Sequence, residues 1–269
     1  MPLRPVTLIT GASSGIGAEL ARVFAANGHA LALVARRRDR LEALAGEIAA
    51  QGKDRPLVIV VDLAAPDAVE TIRGALAAHS VEPQYVVNNA GYGIAGPAAR
   101  RALGDQLGVI DVNMRALTAL SLAFVDSLAR HRGGILNVGS MAGFLPGPGM
   151  AVYYASKAYV RSFSDALRRE LKPRGIRVTH LAPGPVPTEF GERAGTRSVR
   201  VPELLTQNAD HVAELGYRGL VAGKALVVPG ALNRMLVALV RFVPAGLLAA
   251  AVGRRQSRRG AVAELRKGP

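Results

Sequence analysis

The sequence predicts an α/β protein built on one doubly wound, parallel β-sheet. Apolar runs of the kind found in strands alternate with amphipathic helical patterns, and no linker-like stretch interrupts this alternation before residue 190. The run ALALVA at 30–35 is continuously apolar, which is typical of a strand covered on both faces. Alternating strands and helices with doubly covered strands indicate a single domain in which helices pack on both sides of the sheet.

The elements follow from these periodicities in chain order. Strands are predicted near 5–10, 30–35, 57–61, 84–88, 134–139, 176–181 and 225–228. Helices are predicted near 15–27, 38–50, 66–79, 104–131, 152–171 and 209–222. Right-handed crossovers bring the carboxyl ends of parallel strands to one edge of the sheet, so a ligand site is expected there, where the strand order reverses.

A glycine-rich turn joins the first predicted strand to the first helix in VTLITGASSGIGAELARVFAANG. Of Gly11, Gly15 and Gly17, one would allow a tight turn, another the approach of a pyrophosphate and the third close packing of helix on strand. The helix N-terminus offers free N–H groups, and Ser13 and Ser14 add hydroxyl donors. The pattern predicts a dinucleotide site. A turn without a ligand is the alternative, disfavoured because three glycines cost conformational entropy.

The second predicted strand ends in Arg36-Arg37-Arg38, about twenty residues after the glycine turn. An NAD site would place an acidic residue here for the ribose 2′-hydroxyl, whereas a cation suits a 2′-phosphate. The guanidinium fork also matches phosphate geometry. NADP(H) is therefore the predicted cofactor, with Arg36 as the first candidate and Arg37 as the second. Arg38 is expected to be a solvated residue at the start of the following helix.

Tyr153 and Lys157 lie four residues apart in YYASK, and Ser140 ends the apolar run GILNVGS. Residues at this spacing share one helix face, so the Lys ammonium is expected to lower the Tyr pKa and make the phenol a usable general acid and base. Ser140 could orient a carbonyl oxygen. Such a pair also occurs by chance on solvated helices, but the glycine turn favours the catalytic interpretation. Tyr154 meets Ala158 one turn later and is expected to be a core or pocket-wall residue.

Several further motifs give the chain a resemblance to the short-chain dehydrogenase/reductase family over nearly all of residues 5 to 230. The motifs are TGASSGIG at 10–17, Asp62-Leu63, NNAG at 88–91, Asn113, Ser140, YxxxK at 153–157 and APGPVPT at 182–188. The resemblance implies a Rossmann-type sheet of about seven strands in the order 3-2-1-4-5-6-7. The catalytic domain is expected at 1–230, with a helical extension and basic tail at 231–269.

The resemblance also implies roles for the matched residues. Tyr153 would be the general acid, Lys157 would bind the nicotinamide ribose and lower the Tyr pKa, and Ser140 would orient the carbonyl. Asn113 would anchor a water leading to Lys157. Since Asn113 falls in a predicted helix, it could instead be a surface residue or mark a local kink.

The cofactor site implied by the resemblance draws on every motif. Asp62 would contact the adenine, Asn89 and the glycine after it would line the cofactor floor, and Thr188 would hold the carboxamide. Asn88, Asn89 and Gly91 could alternatively form a plain turn. The full expected set is Gly11, Ser13, Ser14, Gly15, Ile16, Gly17, Arg36, Arg37, Asp62, Leu63, Asn89, Ala90, Gly91, Tyr153, Lys157, Pro183, Gly184, Val186 and Thr188.

Composition restricts the classes of function. There are no cysteines, and the five His residues show no metal-ligand spacing, so no metal site is expected and a reducing cytoplasm fits. The N-terminal apolar stretch is interpreted as a core strand, not a signal peptide, and no membrane span is expected. The net charge is +14, yet aromatic residues are few and no nucleic-acid motif occurs, so anionic substrates or a membrane surface suit it better than nucleic acid.

The C-terminal stretch ALNRMLVALVRFVPAGLLAAAVGRR predicts two short amphipathic helices, because Pro244 should break a longer one. Three interpretations compete: a cover over the substrate cleft, an oligomer interface, or peripheral contact with an anionic membrane. Packing on the chain's own core or on another subunit is preferred, since amphipathicity is the usual signature of a surface helix. A similar tail occurs among reductases of the DltE-like branch and among those that act on acyl or lipid-like ketones.

The expected activity is reversible, NADPH-dependent reduction of a ketone or aldehyde to an alcohol, on an apolar or acyl-like substrate. Substrate choice is expected to depend on 92–101, 141–151 and 189–208, which contain many Gly, Pro and small apolar residues. A non-catalytic NADP(H)-binding sensor or scaffold is the alternative, and so is another reaction on the same fold, such as epimerisation or dehydration. The resemblance implies a homodimer or tetramer, often built on the helices near 104–131 and 152–171.

Overall fold

The computed structural model describes residues 3–195, 203–240 and 242–254. Their centre is a seven-stranded parallel sheet in the order β3-β2-β1-β4-β5-β6-β7, as the sequence predicted. The strands are β1 (Arg4–Thr10), β2 (Leu31–Ala35), β3 (Leu57–Val60), β4 (Val81–Asn88), β5 (Gly134–Val138), β6 (Arg177–Leu181) and β7 (Leu226–Val227). The helices are α1 (Gly15–Ala26), α2 (Arg38–Ala50), α3 (Ala68–Ala78), α4 (Leu103–Ile110), α5 (Leu117–Ala123), α6 (Val125–Arg130), α7 (Ala151–Leu171), α8 (Glu189–Arg193), α9 (Ala209–Val221) and α10 (Ala231–Val240).

The strand order reverses at β1, which pairs with β2 on one side and β4 on the other. Connections from β1 run outward to β2 and β3, and the chain then crosses back to β4 on the opposite side. The carboxyl ends of β1 and β4 therefore lead into loops that diverge, and this leaves a crevice at the edge where the sequence motifs fall.

Two apolar layers cover the sheet, and the alternation along each strand decides which layer a side chain joins. In β2, Leu33 packs with α1, α2 and α9, where Phe24 and Val212 are fully buried. The neighbouring Val34 points to the opposite layer, formed with α3, α5, α6 and α7 and containing the buried Leu128 and Leu167. Both faces of the sheet are thus sealed, and its carboxyl edge is left for ligands.

The predicted helix over 104–131 is wrong as a single element. A π-helical turn, Asp111–Ala116, follows α4, and the chain breaks again at Phe124, whose backbone adopts φ −118° and ψ 15°. The Asn113 side chain joins the π turn by hydrogen bonds to the backbone of Tyr92 and to Ser156 in α7, and a sequence periodicity does not reveal such contacts. The predicted start of β4 was also late, because the strand begins at Val81 instead of residue 84.

The C-terminal extension forms α10 and a second helical stretch at 245–254, with Pro244 between them. The sequence predicted this break. One face of α10 packs on the protein's own core, where Val237 joins Phe144, Ala182 and Val228 in a small buried cluster. Among the described residues, no helix is both long enough and apolar enough to cross a membrane.

Candidate active site

A cleft of about 1090 Å³ lies at the carboxyl edge of the sheet. Its walls come from the turns after β1, β2, β3 and β4, the loops after β5 and β6, and one face of α10. Apart from Gly17, which packs behind the turn, and Asn113, which lies behind the floor, every predicted site residue lines this cleft. The sequence motifs therefore converge on one place.

The glycine turn after β1 contains two residues in the left-handed backbone conformation and one close backbone contact. Gly11 and Gly15 adopt φ values of +66° and +55°, which only glycine tolerates readily. A Cβ at Gly17 would clash with the carbonyl oxygen of Gly11, so the third glycine lets α1 pack against the turn. The side chain of Ser14, at the N-cap of α1, makes no capping hydrogen bond. The first-turn N–H groups thus lack a side-chain cap and are available to an anion.

Arg37 is the guanidinium held most closely to the glycine turn. Its Nη2 donates to the Ser13 hydroxyl at 3.2 Å, and its Nη1 lies 2.8 Å from Oε2 of Glu189 at the start of α8. Partial burial acts to raise the pKa of Glu189, but Arg37, with smaller contributions from Ser14 and Arg40, outweighs this effect, so the pKa is lowered. Arg36 is more exposed and lies 3.6 Å from Asp62. Arg38 points to solvent on α2, as expected.

The floor of the cleft is built by the turn after β4. The Asn89 side chain donates to the carbonyl oxygens of Thr10 and Gly11, and its backbone N–H donates to the Thr10 hydroxyl. The backbone N–H of Ala90 donates to the same hydroxyl. These bonds tie β4 to the glycine turn across the strand reversal. Thr10, which sequence reasoning did not single out, is thus the residue that locks the two turns together.

The loop after β6 forms the opposite wall. The carbonyl oxygen of Pro183 accepts from the backbone N–H of Met141, which joins this loop to the one that follows β5. A Cβ at Gly15 would lie 3.0 Å from the methyl carbon of Thr188, so the loop closes on the glycine turn. The remaining predicted residues on this wall and beside β3 are Gly184, Val186 and Leu63.

Ser140 and Tyr153 both line the cleft, and the Ser140 hydroxyl is near enough to the phenol to act on its pKa. Ser140 caps the short 3₁₀ turn Met141–Phe144, where its Oγ accepts from the N–H of Ala142 at 3.1 Å. Lys157 lies one turn along α7 from Tyr153, and its ammonium is 5.9 Å from the centroid of the Tyr ring. Its Nζ donates to the carbonyl oxygen of Val138 at 2.9 Å. The three side chains are brought together as the spacing predicted.

The prediction that the protein's own residues lower the Tyr153 pKa is wrong. Burial raises the pKa of Tyr153 to about 12, and the nearby Ser140 hydroxyl offsets only part of that increase. Burial also lowers the pKa of Lys157, to about 8. The sequence argument considered only the attraction of the ammonium for a phenolate, whereas removal from water penalises both charged forms.

Asn113 is buried in the π turn and makes three hydrogen bonds. Its Oδ1 accepts from the N–H of Tyr92, while its Nδ2 donates to the carbonyl oxygen of Tyr92 and to the hydroxyl of Ser156. The Ser156 hydroxyl in turn donates to the carbonyl oxygen of Tyr153. A Cβ on Gly91 would lie 3.0 Å from Asn113 Oδ1 and 3.4 Å from Lys157 Nζ. Asn113 therefore fixes the loop after β4 and is linked through Ser156 to the first turn of α7.

One end of the cleft is apolar and is closed by α10. Leu236, Val237 and Val240 face this end, opposite Met141 and Phe144 from the turn after β5. Asn233 lines the same end, and its Nδ2 donates to the carbonyl oxygens of Leu205 and Pro229. Sequence reasoning treated α10 as a surface helix with several candidate roles. The spacing of apolar residues in α10 predicts an amphipathic helix, but only the rest of the fold shows that this helix forms a wall of the cleft.

Tyr154 also lines the cleft, in line with the expectation that it is a pocket-wall residue. Its ring lies so close to Gly147 that a Cβ there would clash with it. Of the predicted substrate loops, 92–101 and 141–151 are described in full, while 196–202 lies outside the described residues.

Comparison with known proteins gives a consistent result. The family model for short chain dehydrogenases matches residues 5–198. Sulfoacetaldehyde reductase of Chromohalobacter salexigens is 42% identical over 185 residues, which cover 68% of this chain and 72% of that protein. A short-chain dehydrogenase from Sphingobium yanoikuyae, solved in complex with NADPH, matches with a TM-score of 0.77 at 32% identity, over 89% of this chain and 96% of that one. The bulky-bulky ketone specific alcohol dehydrogenase from Comamonas testosteroni matches with a TM-score of 0.74 at 29% identity, over 90% and 93% of the two chains.

Proposed function

Because the chain belongs to the short-chain dehydrogenase/reductase family, we propose that it reduces a ketone or an aldehyde to an alcohol with NADPH, and catalyses the reverse reaction with NADP⁺. The observation that carries the proposal is that Ser140, Tyr153 and Lys157 line one cleft, with the Lys157 ammonium 5.9 Å from the centroid of the Tyr153 ring. A reductase needs an oriented proton donor beside the hydride acceptor, and these residues have the chemistry for it.

The residues of the cleft fit a dinucleotide that carries a 2′-phosphate. The uncapped N-terminus of α1 and the left-handed Gly11 and Gly15 suit a pyrophosphate. Arg37, held against Ser13, together with the exposed Arg36, supplies guanidinium donors where the second strand ends. Asp62 is assigned to the adenine and Thr188 to the carboxamide. The cofactor is therefore NADP(H), in agreement with the NADPH complex of the relative from Sphingobium yanoikuyae.

When bound, NADPH supplies the hydride. Tyr153 donates its phenolic proton to the carbonyl oxygen of the substrate, and Ser140 hydrogen-bonds the same oxygen and fixes its direction. The raised pKa keeps the phenol protonated at neutral pH, which suits a general acid in the direction of reduction. The nearby Lys157 ammonium stabilises the phenolate that remains and can replace its proton.

Asn113 acts as a positioning residue in this proposal. It holds the backbone of Tyr92 and, through Ser156, the first turn of α7 beneath Tyr153. A loose α7 would move the phenol relative to the substrate carbonyl, and small displacements of reacting groups cost large factors in rate.

The proposed substrate is apolar or acyl-like at the end away from its carbonyl. The end of the cleft formed by α10 is lined by Met141, Phe144, Leu236, Val237 and Val240, and it offers aliphatic and aromatic surface. The relative from Comamonas testosteroni, described as specific for bulky-bulky ketones, supports a large substrate of this kind. A panel of ketones graded by side-chain size measures this preference directly, as kcat/KM.

We also propose a homodimer or homotetramer that uses the outer faces of α4 and α5. Leu103 is 72% exposed, and Leu107 and Leu122 are about half exposed on the same helices. Exposed large apolar side chains that cluster on a helix are typical of a protein interface. Light scattering coupled to size-exclusion chromatography should report a multiple of 28.1 kDa, and Leu103→Asp should shift it toward the monomer.

The decisive experiment compares the wild-type protein with Tyr153→Phe and with the matched variant Tyr154→Phe. NADPH oxidation should fall by about 10²-fold or more in Tyr153→Phe, because the proton donor is lost, with NADPH affinity retained. Tyr154→Phe should remain within a few-fold of the wild type. NADPH binding without turnover of any carbonyl would favour the sensor or scaffold, and turnover without net NADPH oxidation would favour epimerisation or dehydration.

A further inference from the structure

The C-terminal extension carries a cluster of large apolar side chains that the protein leaves in solvent. Phe242 is 85% exposed and Leu247 is 63% exposed. Met235 and Leu239 are each about half exposed, and Val243 is also exposed. These five residues, called the outer face here, recur at helical spacing along α10 and continue past Pro244.

The outer face lies on the side of α10 opposite the cleft. Leu236, Val237 and Val240 point inward, while Met235 and Leu239 are displaced around the helix and point outward. The helix is therefore apolar on two sides, one of which the protein's own core covers. A helix that served only as a wall of the cleft would be expected to have a polar outer side.

The sequence that carries the outer face has charged residues of one sign only. From residue 231 to residue 263 there is no Asp or Glu, and the six basic residues are Arg234, Arg241, Arg254, Arg255, Arg258 and Arg259. Arg234 and Arg254 are exposed and form no ion pair with any residue that the structure describes. Arg241 and the residues from Arg255 onward lie outside the described residues.

We infer that the outer face docks the protein on the surface of an anionic lipid bilayer. An amphipathic helix with exposed Phe and Leu and flanking Arg lies in the interface between headgroups and acyl chains. The apolar side chains enter the acyl boundary, and the arginines attract anionic headgroups. The extension has this combination, and it is too short to cross the bilayer along its described length.

A second copy of the chain is a poorer occupant for this surface. A two-fold interface places the same patch of both subunits together, so Arg234 and its neighbours would approach their own copies. Because the stretch has no acidic residue, nothing within it would compensate this repulsion. An anionic bilayer supplies the missing charge.

Docking would also bring the apolar end of the cleft close to the bilayer. The helix at 245–254 approaches the loop that precedes the catalytic helix, since a Cβ on Gly253 would lie 3.7 Å from Pro148. The layer that separates lipid from cleft is α10 itself. Delivery of an apolar substrate from the membrane rests on the proposed function, whereas docking itself does not.

Vesicle flotation of the full-length protein tests the inference. The protein should float with vesicles of phosphatidylcholine containing phosphatidylglycerol and stay largely unbound with phosphatidylcholine alone, and binding should weaken as salt is raised. The double variant Phe242→Asp/Leu247→Asp should weaken vesicle binding by about tenfold or more, because two apolar anchors are replaced by charges. Its NADPH affinity should be unchanged, which shows that it folds.

Leu3→Asp is the matched control, since Leu3 is an exposed apolar residue at the amino end of β1, at the opposite edge of the sheet from the cleft. It should float like the wild type. The inference is overturned if the wild type does not bind anionic vesicles, or if both variants bind equally well. It is also overturned if the double variant changes the oligomeric state in solution, because the outer face would then be an interface between copies.

Discussion

The pairing of Arg37 with Glu189 leads to a prediction about cofactor selectivity. Glu189→Gln should strengthen binding of NADPH, because the carboxylate now shares the guanidinium that is assigned to the 2′-phosphate. The Arg37 Nη1 to Glu189 Oε2 distance is 2.8 Å, and both side chains are roughly one-third exposed. A pair of this exposure contributes about 0.2–1 kcal/mol. Without the Glu189 carboxylate, the 2′-phosphate no longer competes for Arg37, so NADPH should bind about 1.5- to 5-fold more tightly.

Equilibrium titration followed by NADPH fluorescence measures this change, and the same titration with NADH provides the internal comparison. NADH lacks the 2′-phosphate, so its affinity should be almost unaffected. Glu42→Gln is the matched variant, because Glu42 pairs with Arg38 and Arg55 on the exposed side of α2. Weaker NADPH binding by Glu189→Gln would refute the reasoning and show that the pair helps to hold the cofactor. An equal gain in NADH affinity would show that the effect comes from the change in net charge and not from the 2′-phosphate.

Three further predictions concern the interior of the site. Gly17→Ala should lower the free energy of unfolding by about 1–3 kcal/mol and weaken NADPH binding, whereas Gly74→Ala, with open space around it on α3, should raise that free energy by up to about 1 kcal/mol in the same denaturant titration. The kcat/KM for reduction should fall as the pH rises through about 8, because the lowered pKa of Lys157 means that its ammonium is lost there; a flat profile to pH 9.5 would contradict the assignment. Asn113→Ala should cost about 1–3 kcal/mol of stability, measured by thermal unfolding, because it strips the Tyr92 backbone of two hydrogen bonds, and kcat should fall more than NADPH affinity.

Much of the fold and the central site were predictable because they depend on local pattern. The strand order required only the alternation of elements and the family motifs. Tyr153 and Lys157 were predictable because helical spacing alone sets their relation. The turn at Gly11 and Gly15 was predictable because positive φ angles select glycine.

The parts that the sequence did not predict depend on contacts between distant segments. The π turn depends on the contacts of Asn113 with Tyr92, in the loop after β4, and with Ser156, in α7, which come together only in the folded chain. The direction of the shift in the Tyr153 pKa depends on how completely the walls of the cleft shield the phenol from water. The pairing of Glu189 with Arg37 joins residues about 150 positions apart, and no spacing rule connects them.

The position of α10 has a consequence for how this protein could diversify. In the assignment above, the phosphate, ribose and proton-donating groups all come from residues before 190, while α10 forms the wall that meets the far end of the substrate. Part of the specificity is therefore encoded in a stretch of the chain that is separate from the chemistry. Exchange of the last forty residues between relatives, or saturation mutagenesis at Leu236 and Val240, should redirect the enzyme toward new ketones and leave its hydride chemistry intact.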